Sequence, residues 1–217
     1  MSSDQETMKA YYQLRAPVYD RVYTYPERQD DLRELEILIP ERLRNRDVLE
    51  IAAGTGYWTQ FIARQANSVL ATDGNEAPLQ QLLQRALPVT VKTRVVDAYD
   101  LSALNRTFDG VFAGLWFSHV PIERQIAFLR GLSGVLRQGA RVILMDNTIA
   151  QCERLPLVET DANGNTWQER KLDDGSTYRV IKNFPTEQAL LAAIDGIGHE
   201  PDYVAWHHFW FFQYTSL

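Results

Sequence analysis

Two acids and two glycines stand at a spacing that suits the binding of a nucleoside. Glu50 ends an apolar run, and Gly54 and Gly56 follow it in an acid-x-small-x-Gly-x-Gly stretch. Glycines let the backbone turn sharply and approach a ligand where a helix begins. Asp73 follows at a spacing of about twenty residues, where a carboxylate can accept hydrogen bonds from ribose hydroxyls. An acid beside the loop would repel a pyrophosphate and attract an ammonium, so we expect a nucleoside with a cationic tail.

A nicotinamide dinucleotide site is the first alternative, because it shares the strand, the glycine loop and the later acid. Its G-x-G-x-x-G/A pattern requires a third small residue that lets helix and strand pack closely. Counted from Gly54 and Gly56, that position is Thr59. Together with Glu50, this argues against a dinucleotide.

The elements that position these residues alternate between short apolar strands and amphipathic helices. This order predicts a mainly parallel sheet with its binding residues at the carboxyl ends of the strands. After the strand ending near Glu50, the predicted strands are 68–72, 91–96, 108–115, 141–145, 201–206 and 209–214, and the predicted helices are 27–39, 57–65, 77–86, 121–136 and 186–197.

These features together resemble the class I S-adenosylmethionine (SAM)-dependent methyltransferases. Residues 50–56 resemble the first motif of that family, with Ala52 in place of the usual first glycine. The resemblance implies an α/β fold: a Rossmann-like seven-stranded, mostly parallel sheet with helices on both faces and an antiparallel closing strand. It also implies an N-terminal helical lid, and the turn residues after the fifth strand add a β-hairpin insertion to the expected fold. We expect one domain, 1–217, with the lid at 1–45, the SAM-binding core at 46–150, the hairpin at 151–183 and the closing helix and strands at 184–217.

The resemblance also assigns the cofactor-binding residues. An acid and a small residue at the end of the third strand, Asp97 and Ala98, would contact the adenine amine and ring edge, although Asp97 could instead cap the next turn. The full expected set is Tyr19, Glu50, Ala52, Gly54, Thr55, Gly56, Asp73, Gly74, Asp97, Ala98 and Leu115.

The loop after the fourth strand and the tyrosine-rich N-terminus are expected to hold the methyl acceptor. His119 is the candidate general base, because the unperturbed pKa of histidine lies near neutrality; the alternative is that it only packs against the next helix. The tyrosines could likewise be packing residues rather than a lid. The expected acceptor-binding residues are Tyr12, Tyr23, Tyr25, Trp116, Phe117 and His119.

A bound metal is not expected. Asp146 and Asn147 resemble the metal-binding pair of catechol-type O-methyltransferases, but residues 115–118 supply no second carboxylate. Turn signals at 161–165 and 173–176 predict the inserted β-hairpin, which could roof the acceptor pocket or pair with another subunit.

Composition sets the remaining expectations. The chain has 217 residues, 45% of them hydrophobic, a net charge of -6 and a single cysteine. It has no run of 18 apolar residues, and because residues 1–10 are polar we expect no signal peptide. We therefore expect a cytoplasmic monomer or homodimer that acts on a small molecule and binds neither nucleic acid nor a membrane. The expected activity is methyl transfer to an oxygen, nitrogen or carbon atom of a planar or hydrophobic acceptor. An NAD(P)-dependent oxidoreductase and a non-catalytic SAM-binding regulatory module remain the alternatives.

Overall fold

A computed structural model describes residues 3–217, with side chains from residue 6 onward. The strands are β1 (Asp47–Ile51), β2 (Ser68–Asp73), β3 (Val91–Val95), β4 (Phe108–Gly114), β5 (Leu136–Asn147), β6 (Leu157–Thr160), β7 (Thr166–Lys171), β8 (Thr177–Ile181), β9 (Gly198–Ala205) and β10 (Phe209–Ser216). The α-helices are α1 (Ser3–Arg15), α2 (Gln29–Arg42), α3 (Thr59–Ile62), α4 (Glu76–Leu83), α5 (Ile122–Leu132) and α6 (Glu187–Ala193). A 3-10 segment, Ala16–Tyr23, connects α1 toward α2.

The central sheet has seven strands in the order β3-β2-β1-β4-β5-β10-β9. The first five strands are parallel, and β10 runs antiparallel to both β5 and β9. This confirms the predicted Rossmann-like α/β sheet with an antiparallel closing strand. The strand order reverses between β1 and β4, and ligands bind outside the carboxyl ends of strands at such a point.

Both faces of this sheet are covered by hydrophobic clusters. Val48 and Leu49 are adjacent in β1 and completely buried, and they belong to two different clusters. Successive side chains of a strand point to opposite faces, so the sheet is buried on both sides, as parallel sheets usually are. A rigid sheet therefore supports the carboxyl-end loops.

The helix boundaries differ from the prediction, and two helices end earlier than predicted, α4 at Leu83 and α6 at Ala193. Helix α2 runs through Pro40 to Arg42, because a proline in the last turn removes only one backbone hydrogen bond. The helix predicted at 121–136 ends at Leu132, after which a 3-10 turn leads into β5 at Leu136. Helix α3 is a single turn rather than a helix over 57–65.

The insertion is a three-stranded antiparallel sheet, β6-β7-β8, rather than a single hairpin. The two predicted turns are present, and β6 adds a strand that the prediction lacked. Strand β6 is largely exposed and follows Pro156, so it carries no alternating hydrophobic pattern. Helix α1 packs on this small sheet through Met8, Tyr11 and Val180.

Among the described helices, none combines the length and apolar character needed to cross a membrane.

Candidate active site

A cleft of about 1190 Å³, including the part open to solvent, lies at the carboxyl ends of the parallel strands. Strands β1, β2 and β4 and the loop after β3 form its floor, and α1 and the 3-10 segment Ala16–Tyr23 cover it. The predicted site residues that line it are Tyr12, Tyr19, Tyr23, Glu50, Ala52, Gly54, Thr55, Asp73, Gly74, Asp97, Ala98, Leu115, Trp116 and His119. The sequence therefore located most of the cleft correctly.

The loop after β1 has the sharp backbone that its glycines predicted. Gly54 has a φ of 57°, and Ala52, which replaces the usual glycine, is also left-handed with a φ of 52°. A left-handed alanine costs about 1–2 kcal/mol, and the loop retains its turn in spite of this cost. The Gly54 N–H donates to Asp73 Oδ2 at 3.1 Å, which ties the loop to the end of β2.

Gly56 does not line the cleft. Its φ is 79°, and a Cβ built on it would lie 2.6 Å from Leu82 Cγ. The absence of a side chain lets α4 pack closely on the loop, so we interpret this glycine as a packing residue rather than a ligand contact.

Glu50 is a buried carboxyl group, 2% exposed, at the floor of the cleft. Thr59, the residue that breaks the dinucleotide pattern, donates its hydroxyl to Glu50 Oε2 at 2.6 Å. Burial raises the pKa of Glu50 to about 8, and the hydrogen bond from Thr59 only partly opposes this. A cation placed beside this carboxyl would favour its ionised form.

Asp73 lies on the cleft wall and is held in place by backbone groups. Besides the Gly54 N–H, it accepts the Asn75 N–H at 2.8 Å through Oδ1. Burial raises its pKa to about 6, so the carboxylate is mostly ionised at neutral pH. Each carboxylate oxygen can accept more than one hydrogen bond, so Asp73 can also accept from ribose hydroxyls.

The far end of the cleft suits a purine. Asp97 accepts the Tyr99 N–H at 2.9 Å, as its alternative capping role predicted, and its side chain still lines the cleft. The Trp116 indole stands edge to face with Tyr99, and its buried Nε1 atom has no hydrogen-bond partner among the described residues. A buried, unpartnered donor in a cleft wall is available to a ligand.

His119 and Tyr12 meet at the other end, beneath α1. The distance between Tyr12 Oη and His119 Nε2 is 2.7 Å, and His119 Nδ1 lies 2.5 Å from the Ile181 carbonyl oxygen. A carbonyl only accepts, so Nδ1 carries a proton. Nε2 faces the Tyr12 hydroxyl and accepts from it when the ring is neutral.

Burial removes the near-neutral pKa on which the general-base prediction depended. Burial, together with the charges of Lys182 and Arg170, lowers the pKa of His119 to about 3. A base this weak takes little part in proton abstraction at neutral pH. The imidazole can still position a neighbouring group as a hydrogen-bond acceptor.

Two predicted acceptor residues lie outside the cleft lining. Phe117 is completely buried and packs against Phe128 in the core, because Leu115 adopts a φ of 55° and redirects the chain after β4. Tyr25 is instead flanked by the guanidinium groups of Arg28 and Arg154, 5.0 and 4.0 Å from its ring centroid.

The sequence also missed several lining residues, two of them on α1. Met8 and Lys9 line the cleft, and the Lys9 carbonyl accepts from Asn75 Nδ2 at 3.2 Å. The Lys9 charge lowers the Asp73 pKa slightly, against the larger effect of burial. The crowding of tyrosines in the N-terminal region was the only sequence signal for this cover.

A buried ion pair occupies the position that resembled a metal site. Lys182 Nζ donates to Asp146 Oδ1 at 2.6 Å, to Ser118 Oγ at 2.8 Å and to Asn147 Oδ1 at 3.1 Å. The lysine thus takes the oxygens that a metal would need. Over the described residues, no group of three or more His, Cys, Asp or Glu side chains is placed to hold a metal ion.

The residues of the cleft fit SAM. Glu50 supplies a carboxyl group for a cationic tail, and Asp73 supplies acceptors for ribose hydroxyls. Gly74 has no atom within 4 Å of the position where a Cβ would stand, so the backbone there leaves room for a ligand. Strand order, loop and cleft together define the class I SAM-dependent methyltransferase fold.

Comparison with known proteins supports this class. A family model described as a methyltransferase domain matches residues 48–139. A malonyl-[acyl-carrier protein] O-methyltransferase from Halorhodospira halophila (strain DSM 244 / SL1) is 35% identical over 128 residues, which are 55% of this chain. That alignment spans 42% of the relative, so the chain matches less than half of its length.

Two solved structures resemble the whole chain. The DhpI-SAH complex is 28% identical, with a TM-score of 0.80 over 100% of this chain and 98% of that chain. The DhpI-SAM-HEP complex is 29% identical, with a TM-score of 0.79 over 99% of each chain. The fold, the cleft and these similarities together support a class I SAM-dependent methyltransferase with SAM as its cofactor.

Proposed function

We propose that this protein transfers the methyl group of SAM to a small-molecule acceptor bound beside His119 and Tyr12. One observation carries the proposal: a single cleft joins the nucleoside-binding carboxylates to a buried polar end under α1. A closed site of this kind suits a reaction whose main requirement is alignment of two bound molecules away from water.

SAM supplies a methyl group already activated by its sulfonium, so the new bond forms between the acceptor atom and that methyl carbon while the carbon–sulfur bond breaks. The protein's own residues bind and orient the reactants. Glu50 attracts the cationic tail, Asp73 holds the ribose and Asp97 the adenine amine. Tyr12 and His119 orient the acceptor, and any proton it loses passes to solvent, because the low pKa of His119 makes it a poor proton store.

An oxygen acceptor is the version that the comparisons favour. The curated relative is named an O-methyltransferase, and a likeness over about half of this chain supports the same kind of acceptor atom here. We further infer that residues 1–45 act as a lid, since α1 and the following 3-10 segment cover the cleft. The cytoplasmic location, the oligomeric state and the absence of a nucleic-acid partner stay predictions from composition.

Turnover with labelled SAM tests the proposal. The purified protein would be incubated with methyl-labelled SAM and panels of small oxygen, nitrogen and carbon nucleophiles, with S-adenosylhomocysteine release as a second readout. We expect label transfer to at least one panel, reduced in the Asp73→Asn variant at subsaturating SAM and retained in Arg33→Gln, an exposed arginine of α2. SAM binding without transfer to any panel would favour the regulatory-module alternative, and hydride transfer from a nicotinamide would favour an oxidoreductase.

A further inference from the structure

Three buried cations and one buried carboxylate cluster next to the acceptor end of the cleft. Lys182 is 1% exposed, Arg28 5% and Arg170 7%, and the carboxylate is that of Asp146. Lys182 is bound by Asp146 and by two further oxygens, so its charge and its donors are satisfied. Its pKa is nevertheless lowered to about 8, mainly by burial and also by Arg170 and Arg28.

The two arginines have no such partner. Arg170 donates to Gln168 Oε1 at 2.7 Å and to Tyr12 Oη at 3.3 Å, and both acceptors are neutral. Arg28 contacts the neutral rings of Tyr25 and Phe209. Among the described residues, neither arginine takes part in an ion pair, and the buried Nε atom of each lacks a hydrogen-bond partner.

Glu27, the carboxylate next to Arg28 in sequence, is already engaged. It accepts from Arg154 Nη2 at 2.7 Å at the surface. Burial lowers the pKa of Arg28, the charges of Arg154 and Arg170 add to this effect, and the charge of Glu27 opposes it without reversing it. Burying a charge without a counter-charge is costly, so two guanidinium groups in this state call for an anion.

The position of this pair ties it to the acceptor. Arg170 touches the Tyr12 hydroxyl, which in turn contacts His119 on the cleft wall. Arg28 follows the 3-10 segment Ala16–Tyr23 that carries Tyr19 and Tyr23 over the cleft. A third unpartnered donor, Nδ2 of Asn147, lies beside Lys182 in the same cluster.

We propose that Arg28 and Arg170 bind an anionic group of the methyl acceptor, either a carboxylate or a phosphate-type oxyanion. Guanidinium groups present paired donors that match both kinds of oxyanion. The acceptor is then a small anion held behind Tyr12, rather than the planar hydrophobic molecule that the aromatic residues alone suggested. This inference rests on the proposed function, because it assigns the substrate of the same site.

Binding of simple anions tests it without knowledge of the acceptor. The full chain, saturated with S-adenosylhomocysteine, would be titrated with acetate, with methylphosphonate and with neutral acetamide, using calorimetry and thermal unfolding. We expect saturable binding and a raised Tm with at least one anion and neither effect with acetamide. A preference for acetate identifies a carboxylate acceptor, and a preference for methylphosphonate a phosphate-type one.

Variants assign the binding to these two residues. Arg28→Gln and Arg170→Gln should each weaken anion binding at least tenfold, while Arg33→Gln, the same change on the exposed face of α2, leaves it unaltered. Arg170→Lys keeps the positive charge but loses the paired N–H donors of the guanidinium group. Its affinity for the anion should therefore lie between those of the wild type and Arg170→Gln. Because these substitutions replace an unpaired buried charge, we expect the Tm without anion to be unchanged or raised.

The outcomes separate the two proposals. If S-adenosylhomocysteine binds but neither anion does, or if anion binding survives both glutamine variants, the anionic acceptor is wrong while the methyltransferase stands. If S-adenosylhomocysteine does not bind, the proposed function itself fails. If a variant does not fold, the wild-type titrations still test the proposal. Binding of an anion but not of acetamide supports an anionic acceptor, and equal results for the two contradict it.

Discussion

The Tyr12 hydroxyl lies 2.7 Å from His119 Nε2, across 107 positions of the chain. This contact joins the covering helix α1 to the loop after β4, and the lowered pKa of His119 makes the neutral imidazole the acceptor in it. In the proposed function His119 therefore orients a group in the cleft rather than removing a proton from it.

His119 should not titrate in the physiological range. Its pKa is lowered to about 3 by burial and by two nearby cations, so its ring stays neutral from pH 5 to pH 9. Nitrogen-15 NMR of labelled histidines should show a proton on Nδ1 and none on Nε2 throughout, with the other three histidines as internal reference. A His119 signal that titrates near pH 6 to 7 would restore the general-base interpretation.

SAM binding should release a proton through Glu50. The folded-state pKa of about 8 lies above the ordinary value of 4.5, so the free protein keeps this proton at pH 7. A bound ammonium favours the carboxylate, and the proton leaves. Calorimetry in buffers of different ionisation enthalpy should detect the release in the wild type and lose it in Glu50→Gln, which retains an acceptor for Thr59.

The same shift predicts how the stability of the free protein depends on pH. Because the pKa is raised on folding, the contribution of Glu50 is fully present below about pH 4.5 and is lost as the pH rises through about 8. The free energy of unfolding should therefore fall less steeply across this range in Glu50→Gln than in the wild type. Equal slopes in the two proteins would show that Glu50 is not protonated in the free state.

Gly56 should tolerate no side chain. Alanine there would combine a left-handed backbone with a Cβ only 2.6 Å from Leu82 Cγ. We expect a loss of roughly 2–4 kcal/mol in the free energy of unfolding, measured by denaturant titration. Gly74→Ala is the matched control, because its Cβ would meet nothing within 4 Å. Combining Gly56→Ala with Leu82→Ala should cost less than the sum of the single changes, and strict additivity would exclude the contact.

Removal of Lys182 should destabilise the fold strongly. Lys182→Met leaves Asp146 buried without a counter-charge, and breaking such a pair costs about 3–5 kcal/mol. Adding Asp146→Asn should recover part of the loss, because the unpaired charge is then gone. Arg21→Met, which removes an exposed ion pair with Asp173, should change stability by no more than about 1 kcal/mol. Similar losses of stability in Lys182→Met and Arg21→Met would contradict the larger contribution of the buried ion pair.

The sequence predicted the parts of the fold and site that depend on local pattern. Glu50, Gly54 and Asp73 lie at strand ends marked by apolar runs and turn residues, and the structure brings them into one cleft. The start of the helix predicted at 186–197 is also correct, since Thr186 Oγ1 accepts the Ala189 N–H at the N-terminus of α6. Loops at strand ends can be predicted from the sequence, because the alternation of strands and helices determines where these loops come together.

The remainder depends on contacts between distant segments. Nothing in the local pattern of residues 145–183 indicates that Lys182 pairs with Asp146 or that Arg170 lies behind Tyr12. Trp116 and Phe117 are neighbours of similar type, and only the left-handed backbone at Leu115 decides which lines the cleft and which enters the core. The His119 pKa likewise follows from burial by α1 and β8, which no motif encodes.

The central claim is that the cleft holds SAM, and parallel calorimetric titrations with SAM, S-adenosylhomocysteine and NAD test it most directly. We predict saturable binding of the first two, weakened roughly 10- to 100-fold by Asp73→Asn, since a hydrogen bond to a charged group contributes about 1.5–3 kcal/mol. Asp174→Asn, an exposed aspartate in the turn between β7 and β8, is the control and should bind like the wild type. Binding of NAD alone, or SAM binding indifferent to Asp73→Asn, would contradict the account.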